Sequence, residues 1–375
     1  MLYREHFMTF TSRLTDKGDY LPELIDKIHR SNLPLFLYGA GKYANMLCVN
    51  CLWKKDEPNQ QIKFDEIVVS TLPENKDVFF HGQMVKEFDQ AVNEYPSINV
   101  LAGLSLEPVL DKLKKHPKVR NIFFYDATFR GNNDLMCHFS RNFLLENDHE
   151  LTSFYNDLED ELSRKTMIAF FNQHLTGNCE YVDEVFVNNQ YFTDPVKLRD
   201  DEIFVDCGAY TGDTVNAFLR ATKERKYEHI FSIEPDTLNF KELLKLGSAI
   251  PRFTCINKGT WNEKTILKFS NDGNTTSTIS QNGEIQVEVD TIDNMLNGQS
   301  ATYIKMDIEG AELPSLIGAE KTIRNYKPKL AISVYHKYDD LLTIPQYIKS
   351  LNNGYKFYLR AHDKPYFFDL VLYAV

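Results

Sequence analysis

Residues 202–214, EIFVDCGAYTGDT, place the tightest constraint on what this chain can fold into. Ile203, Phe204 and Val205 form an apolar run that ends at Asp206. A turn of small residues follows, Gly208-Ala209-Tyr210-Thr211-Gly212, and Asp213-Thr214 opens a helical pattern. An apolar run that stops at a glycine turn and resumes with helical spacing reads as strand, tight turn and helix. Glycines at 208 and 212 permit positive φ and close approach of a ligand to the backbone, while a helix start leaves N–H groups facing the turn. Such a turn either cradles a nucleotide-like cofactor or only redirects the chain, so the other motifs must decide.

The next apolar run, residues 229–233, ends in Glu234-Pro235-Asp236, 28 residues after Asp206. In a doubly wound sheet that spacing sets a carboxylate beside the first glycine turn, where it can accept both hydroxyl protons of a ribose. A third strand over 252–257 leads to Gly259-Thr260-Trp261. Residues 266–269 and 285–289 alternate as an inserted hairpin would, and the polar stretch 271–278 between them is a rim, a lid or a plain loop. Residues 302–312, TYIKMDIEGAE, deliver Asp307 and Glu309 to the same carboxyl edge, and 330–334 deliver Tyr335-His336-Lys337. Ligands of open α/β sheets bind along that edge. Residues 355–360 and 367–374 close the chain as an antiparallel edge pair.

A second glycine turn lies upstream. After a helix over 20–30, residues 33–37 run apolar into Gly39-Ala40-Gly41-Lys42-Tyr43-Ala44, a G-x-G-x-x-A pattern followed by an apolar helix through Trp53. This arrangement suits a dinucleotide pyrophosphate, and equally a structural turn. The next strand, 66–69, ends in Ser70-Thr71 and lacks the acid that would hold a ribose diol. Strands over 78–81, 98–101 and 122–125 and helices over 85–93 and 107–116 complete a small doubly wound α/β domain. The predicted organisation is an N-terminal helical segment, 1–30; this domain, 31–128; a mainly helical connector, 129–199; and a second α/β domain, 200–375. In the connector, Asn188, Asn189, Gln190 and Tyr191 suit the wall of a cleft for hydroxylated ligands, or a surface loop.

The net charge of -11 and pI near 5.5 argue against a nucleic-acid backbone or an anionic membrane surface as the main partner. No stretch reaches the ~20 apolar residues of a membrane span, and residues 1–14 lack a signal-peptide core, so a cytosolic protein is expected. Of six cysteines only Cys48 and Cys51 have C-x-x-C spacing, inside an apolar helical stretch; buried reduced thiols are expected there.

VDCGAYTGDT, SIEPD, VDTID, IKMDIEGAE and the closing YKFYLR…DLVLYAV, in this order, resemble the FkbM-type family of S-adenosylmethionine-dependent methyltransferases over about residues 164–375. The resemblance implies a seven-stranded Rossmann-like sheet of order 3-2-1-4-5-7-6 with the seventh strand antiparallel. It also implies S-adenosyl-L-methionine as cofactor and O-methylation of a sugar, glycan or secondary-metabolite hydroxyl. Carried over, Asp206, Gly208, Tyr210 and Gly212 surround the methionine moiety, Glu234 takes the ribose diol, Thr260 and Trp261 flank the adenine, and Asp307 faces the sulfonium or its amino group. A hydroxyl acceptor must also lose a proton. His336 is the preferred general base because an ordinary imidazole titrates near ~6.5, with Asp307 and His362 as rivals. A metal on Asp307 and Glu309 is considered, but no metal is assigned. The competing readings are a dinucleotide or nucleotide-sugar oxidoreductase run from the Gly39 turn, and a non-catalytic binding module. The substrate is expected to be a small molecule or glycan, with a homo-oligomer left open.

Overall fold

The computed structural model describes residues 8–53, 62–74, 76–104, 107–128, 141–222, 226–270, 278–279 and 285–375. The chain divides into two units: Met1–Asp148, Met167–Phe186 and Asp363–Phe367 form the first, and His149–Thr166, Val187–His362 and Phe368–Val375 the second. The stretch 129–199 is thus shared between them. Among the described residues no helix is long and apolar enough to cross a membrane.

In the first unit, β1 (Leu35–Tyr38), β2 (Glu66–Val69), β3 (Phe79–Phe80), β4 (Gln83–Glu87), β5 (Ile98–Ala102) and β6 (Val119–Phe123) form one sheet of order β3-β4-β2-β1-β5-β6. Only the β3–β4 pair is antiparallel. Side-chain alternation divides the core: Leu35 and Leu37 face the helix Leu21–Ser31, whereas Phe36 and Tyr38 pack with Phe88, Leu110 and Leu113. The sequence suggests a helix over 85–93, but 83–87 is a strand and the helix is short, Phe88–Ala91. Parallel pairing of Val85, Lys86 and Glu87 with β2, and the Lys86–Glu66 ion pair at 2.6 Å, outweigh local helical spacing.

The strand order of this sheet reverses at β1, so a ligand of the Gly39 turn belongs between the ends of β1 and β5. Two loops already meet there through glycines: a Cβ at Gly39 (φ +117°) would stand 2.8 Å from the Gly103 carbonyl oxygen. Tyr366 completes the closure. Its hydroxyl donates to Ala102 O at 3.0 Å, and its ring lies 4.7 Å from that of Tyr43 on the helix after the turn. The glycines at 39 and 103 therefore serve close backbone approach, and Tyr366 packs beside them at the end of β5.

The second unit carries β7 (Glu202–Cys207), β8 (Tyr227–Ile233), β9 (Phe253–Ile256), β10 (Gly259–Thr260), β11 (Thr265–Ser270), β12 (Thr278–Ile279), β13 (Ile285–Asp290), β14 (Tyr303–Met306), β15 (Lys329–Ser333), β16 (Phe357–Ala361) and β17 (Leu370–Ala374). The main sheet runs β16-β17-β15-β14-β7-β8-β9, with β17 antiparallel to both neighbours and the other pairings parallel. β17 lies inside the sheet and β16 at its edge. The inserted segment forms a second sheet, β10-β13-β11-β12, in which β11 and β13 are antiparallel; most of the polar stretch 271–278 lies outside the described residues. The helix Asp213–Thr222 buries Thr214, Val215, Phe218 and Thr222, and Phe218 stacks on Phe204 of β7 at 4.7 Å.

Residues 149–166 join this unit along β16. Glu159 N–H donates to Phe357 O at 2.9 Å, and Asp160 accepts from Ser163 N–H and from Arg360 Nη2 at 2.8 and 2.6 Å. Burial alone would raise the Asp160 carboxyl, but the Arg360 guanidinium and the Ser163 donors outweigh it and hold it below its ordinary value. A carboxyl depressed on folding stabilises above its unfolded pKa of about 3.9, and that contribution disappears as pH falls through the folded value. Acid titration of stability should therefore show a shallower loss for Asp160→Asn than for the wild type below about pH 4. Asp160 is 37% exposed, so the difference should stay within about 1 kcal/mol; identical curves would contradict the assignment.

Candidate active site

The turn between β7 and the helix Asp213–Thr222 is built as its glycines require. Gly208, Tyr210 and Gly212 all have positive φ, +77°, +48° and +93°. A Cβ at Gly208 would lie 1.9 Å from the carbonyl oxygen of Asp307, so β7 and β14 leave the sheet almost in contact. Tyr210, an ordinary residue in a left-handed conformation, is locked by its N–H, which donates to Glu234 Oε2 at 2.8 Å. Glu234 Oε1 accepts from Asp236 N–H at 2.8 Å. These two bonds fix the carboxylate beside the turn, and burial raises its pKa. Its remaining lone pairs are open to a diol.

Asp206, the last acid of β7, is fully buried. In register with it on β14 stands Lys305, whose Nζ lies 3.1 Å from Asp206 Oδ1 and donates to the carbonyls of Cys207 and Gly208 at 3.2 and 2.8 Å. Burial pushes the Asp206 carboxyl up to about 6 despite Lys305. For Lys305 burial opposes the charge, and the carboxylates of Asp206 and Asp307 more than offset it. At neutral pH the pair is charged. Asp206 Oδ2 receives no hydrogen bond from the described residues, an unused acceptor next to the turn.

Asp307 follows β14 directly. Tyr191 donates to its Oδ2 at 2.9 Å and Tyr335 to its Oδ1 at 3.3 Å. Burial alone would raise its carboxyl, but the charges of Lys305 and His336 lower it. His336, beyond β15, has Nε2 3.6 Å from Asp307 Oδ1 and 3.7 Å from Glu309 Oε2, and Nδ1 3.0 Å from Glu312 Oε1. Burial works against an imidazolium, yet Glu312, Asp307 and Glu309 push His336 up to about 10. A group protonated at neutral pH donates rather than accepts, so the premise of an ordinary imidazole pKa does not apply to His336. Asp369 adds a further carboxyl, pushed up to about 6 by burial and by the charge of Asp307.

The other expected residues fall elsewhere on this unit. Thr260 is buried, and its hydroxyl pairs with that of Ser315 at 2.7 Å. Trp261 N–H donates to Asp290 O at 2.9 Å. His362 has a structural occupation: Nδ1 donates to Val187 O at 2.7 Å, and Nε2 accepts from the Tyr373 hydroxyl at 2.8 Å, which in turn accepts from Tyr191 N–H. Burial lowers His362 to about 4. It fixes the loop that presents Tyr191 to Asp307, so it is a positioning residue.

Sequence reasoning set Tyr191 in the wall of a cleft or in a surface loop and carried Glu312 only within the run TYIKMDIEGAE. Glu312, in the first turn of the helix Glu312–Ile317, is fully buried against His336 and also accepts the Ile308 N–H at 2.9 Å. Lys305 was missed, although a lysine inside the apolar run YIKM signals a buried partner.

Residues 206–357 match the family model described as the methyltransferase FkbM domain. A crystal structure of Methyltransferase FkbM from Methylobacillus flagellatus KT is similar over 94% of each chain, with 24% identity and a TM-score of 0.65, and shares the fold. An rRNA methylase from Streptococcus thermophilus matches 47% of this chain and 87% of its own, at 14% identity and a TM-score of 0.31. Aeropyrum pernix fibrillarin with natively bound S-adenosyl-L-methionine matches 50% of this chain and 73% of its own, at 12% identity and 0.32. Those two scores are too low to carry an argument. Comparison with curated proteins finds no match.

Proposed function

The chain carries a methyltransferase FkbM domain over residues 206–357, and we propose that it is an S-adenosylmethionine-dependent enzyme that methylates a hydroxyl oxygen of a sugar, glycan or other small acceptor. The observation that carries this reading is the convergence of Asp206, Glu234 and Asp307 on one sheet edge around the positive-φ turn at 208–212. Those residues fit the cofactor chemically. Its ammonium, sulfonium and ribose diol are cations and donors, and the edge offers a buried unused acceptor on Asp206 and an oriented carboxylate on Glu234.

When bound, the cofactor supplies an electrophilic methyl group on sulfur. Asp206 and the turn then hold the methionine moiety, Glu234 the ribose and the segment at Thr260 and Trp261 the adenine side. Asp307, ionised and steadied by two tyrosine hydroxyls, is the group that accepts a hydrogen bond from the acceptor's hydroxyl. His336 stands beside Asp307, with Nε2 3.6 Å from its Oδ1, and helps to hold it in place. Alignment and exclusion of water supply much of the rate in such displacements, and the half-buried, hydrogen-bonded setting of Asp307 serves alignment.

Incubation with methyl-labelled S-adenosylmethionine and a panel of nucleotide sugars and glycolipids, scored by mass spectrometry, tests the reading. A labelled product bearing one added methyl on oxygen is expected. Label on nitrogen or carbon of an acceptor would overturn the hydroxyl assignment.

A further inference from the structure

We propose that Asp307, Glu312 and His336 form a binding site for one divalent cation, which holds the acceptor's hydroxyl oxygen beside the cofactor. This rests on the methyltransferase reading above and adds a ligand to the same edge. One donor atom from each of the three residues lies within 4.8 Å of the others. Two carboxylates and an imidazole suit Mn²⁺, Fe²⁺ or Zn²⁺.

The scaffold is rigid where a metal site needs it. Asp307 sits at the tip of β14, His336 just beyond β15, and Glu312 opens the helix Glu312–Ile317. Asp307 is steadied by Tyr191 and Tyr335, and Glu312 by the Ile308 N–H. Such outer partners orient metal ligands. Glu312 Oε1 lies 3.0 Å from His336 Nδ1, and Asp307 Oδ1 lies 3.6 Å from Nε2.

Two further observations point to a cation. The Glu312 side chain is 0% exposed, and its Oε2 receives no hydrogen bond from the described residues; a desolvated carboxylate oxygen without a donor is costly, and a cation removes that cost. Asp307, Glu309 and Glu312 also all stand within 3.7 Å of the one imidazole. Three carboxylates outnumber the single positive charge that His336 can carry, and the nearby Lys305 ammonium is already paired with Asp206. With a divalent ion the imidazole becomes a neutral ligand and the cluster retains less net charge.

The test is calorimetric titration of chelator-treated full-length protein with Mn²⁺, with and without S-adenosylmethionine, checked by Mn²⁺ spin resonance. About one ion per chain is expected. Asp307→Asn and His336→Gln should each weaken Mn²⁺ binding at least tenfold, and Glu309→Gln, at a half-exposed position, should fold whatever the fate of the buried variants and weaken it less. Circular dichroism separates lost binding from lost folding. No saturable Mn²⁺ binding by a wild-type protein that still binds S-adenosylmethionine would overturn this proposal and leave the methyltransferase reading intact. Unchanged Mn²⁺ affinity in Asp307→Asn and His336→Gln would also overturn it. Failure of the wild type to bind S-adenosylmethionine would instead remove the reading on which the site rests.

Discussion

Gly208→Ala is expected to destabilise the protein by about 3 kcal/mol or more and to weaken cofactor binding with it. The residue's φ of +77° is unfavourable for any side chain, and the added Cβ would meet the Asp307 carbonyl oxygen at 1.9 Å. The contact is backbone against backbone, so no side chain can swing away. Relief requires the turn after β7 and the tip of β14 to separate, which moves Asp307 and shifts the Lys305 donors bound to Cys207 and Gly208. Gly41→Ala is the control, because a Cβ there meets nothing within 4 Å. Urea unfolding of the two variants should differ by most of the predicted loss. Equal stabilities would show that the strands can part at little cost and would remove the reason for a glycine at 208.

Lys305→Met should cost about 3–5 kcal/mol, because it strands Asp206 as a buried charge without its partner. Asp206 and Lys305 have side-chain exposures of 0% and 3%, so water cannot take over from the lost ammonium. Asp206→Asn combined with Lys305→Met should recover a large part of the loss, since a neutral pair tolerates burial far better than one orphaned charge. Urea midpoints for the two single variants and the double variant give the coupling between the residues. A double variant whose loss equals the sum of the two singles would show that the pair does not interact energetically.

Both residues also show where sequence reading reached its limit. The turn at 208–212 and Glu234 were legible because strand, glycine turn, helix and a strand-tip acid follow one another along the chain. Lys305 was not, because its role comes from the register that sets it against Asp206 on a strand far away in sequence. His336 reaches the expected edge, but the sequence reading did not take the charge of its surroundings into account. An ordinary imidazole pKa assumes ordinary surroundings, and here Asp307, Glu309 and Glu312, all on the one segment that runs from β14 into the helix Glu312–Ile317, converge on it.

In the first unit, local spacing favoured a helix over 85–93, whereas pairing of 83–87 with β2 made a strand. The two glycine turns looked alike in sequence. Gly208 lies beside carboxylates with acceptor capacity to spare, whereas Gly39 lies beside Gly103 and the Tyr366 hydroxyl bound at the end of β5. What fills the space above a glycine turn depends on distant residues, which a local pattern does not encode.

The most direct test of the central claim is calorimetric titration of the wild type and Glu234→Ala with S-adenosylmethionine. The account predicts saturable one-site binding by the wild type and an affinity about 30-fold or more weaker in the variant, the equivalent of about 2 kcal/mol for hydrogen bonds to a charged carboxylate. A folded wild-type protein that binds no S-adenosylmethionine, or equal affinity in a folded Glu234→Ala protein, would contradict it.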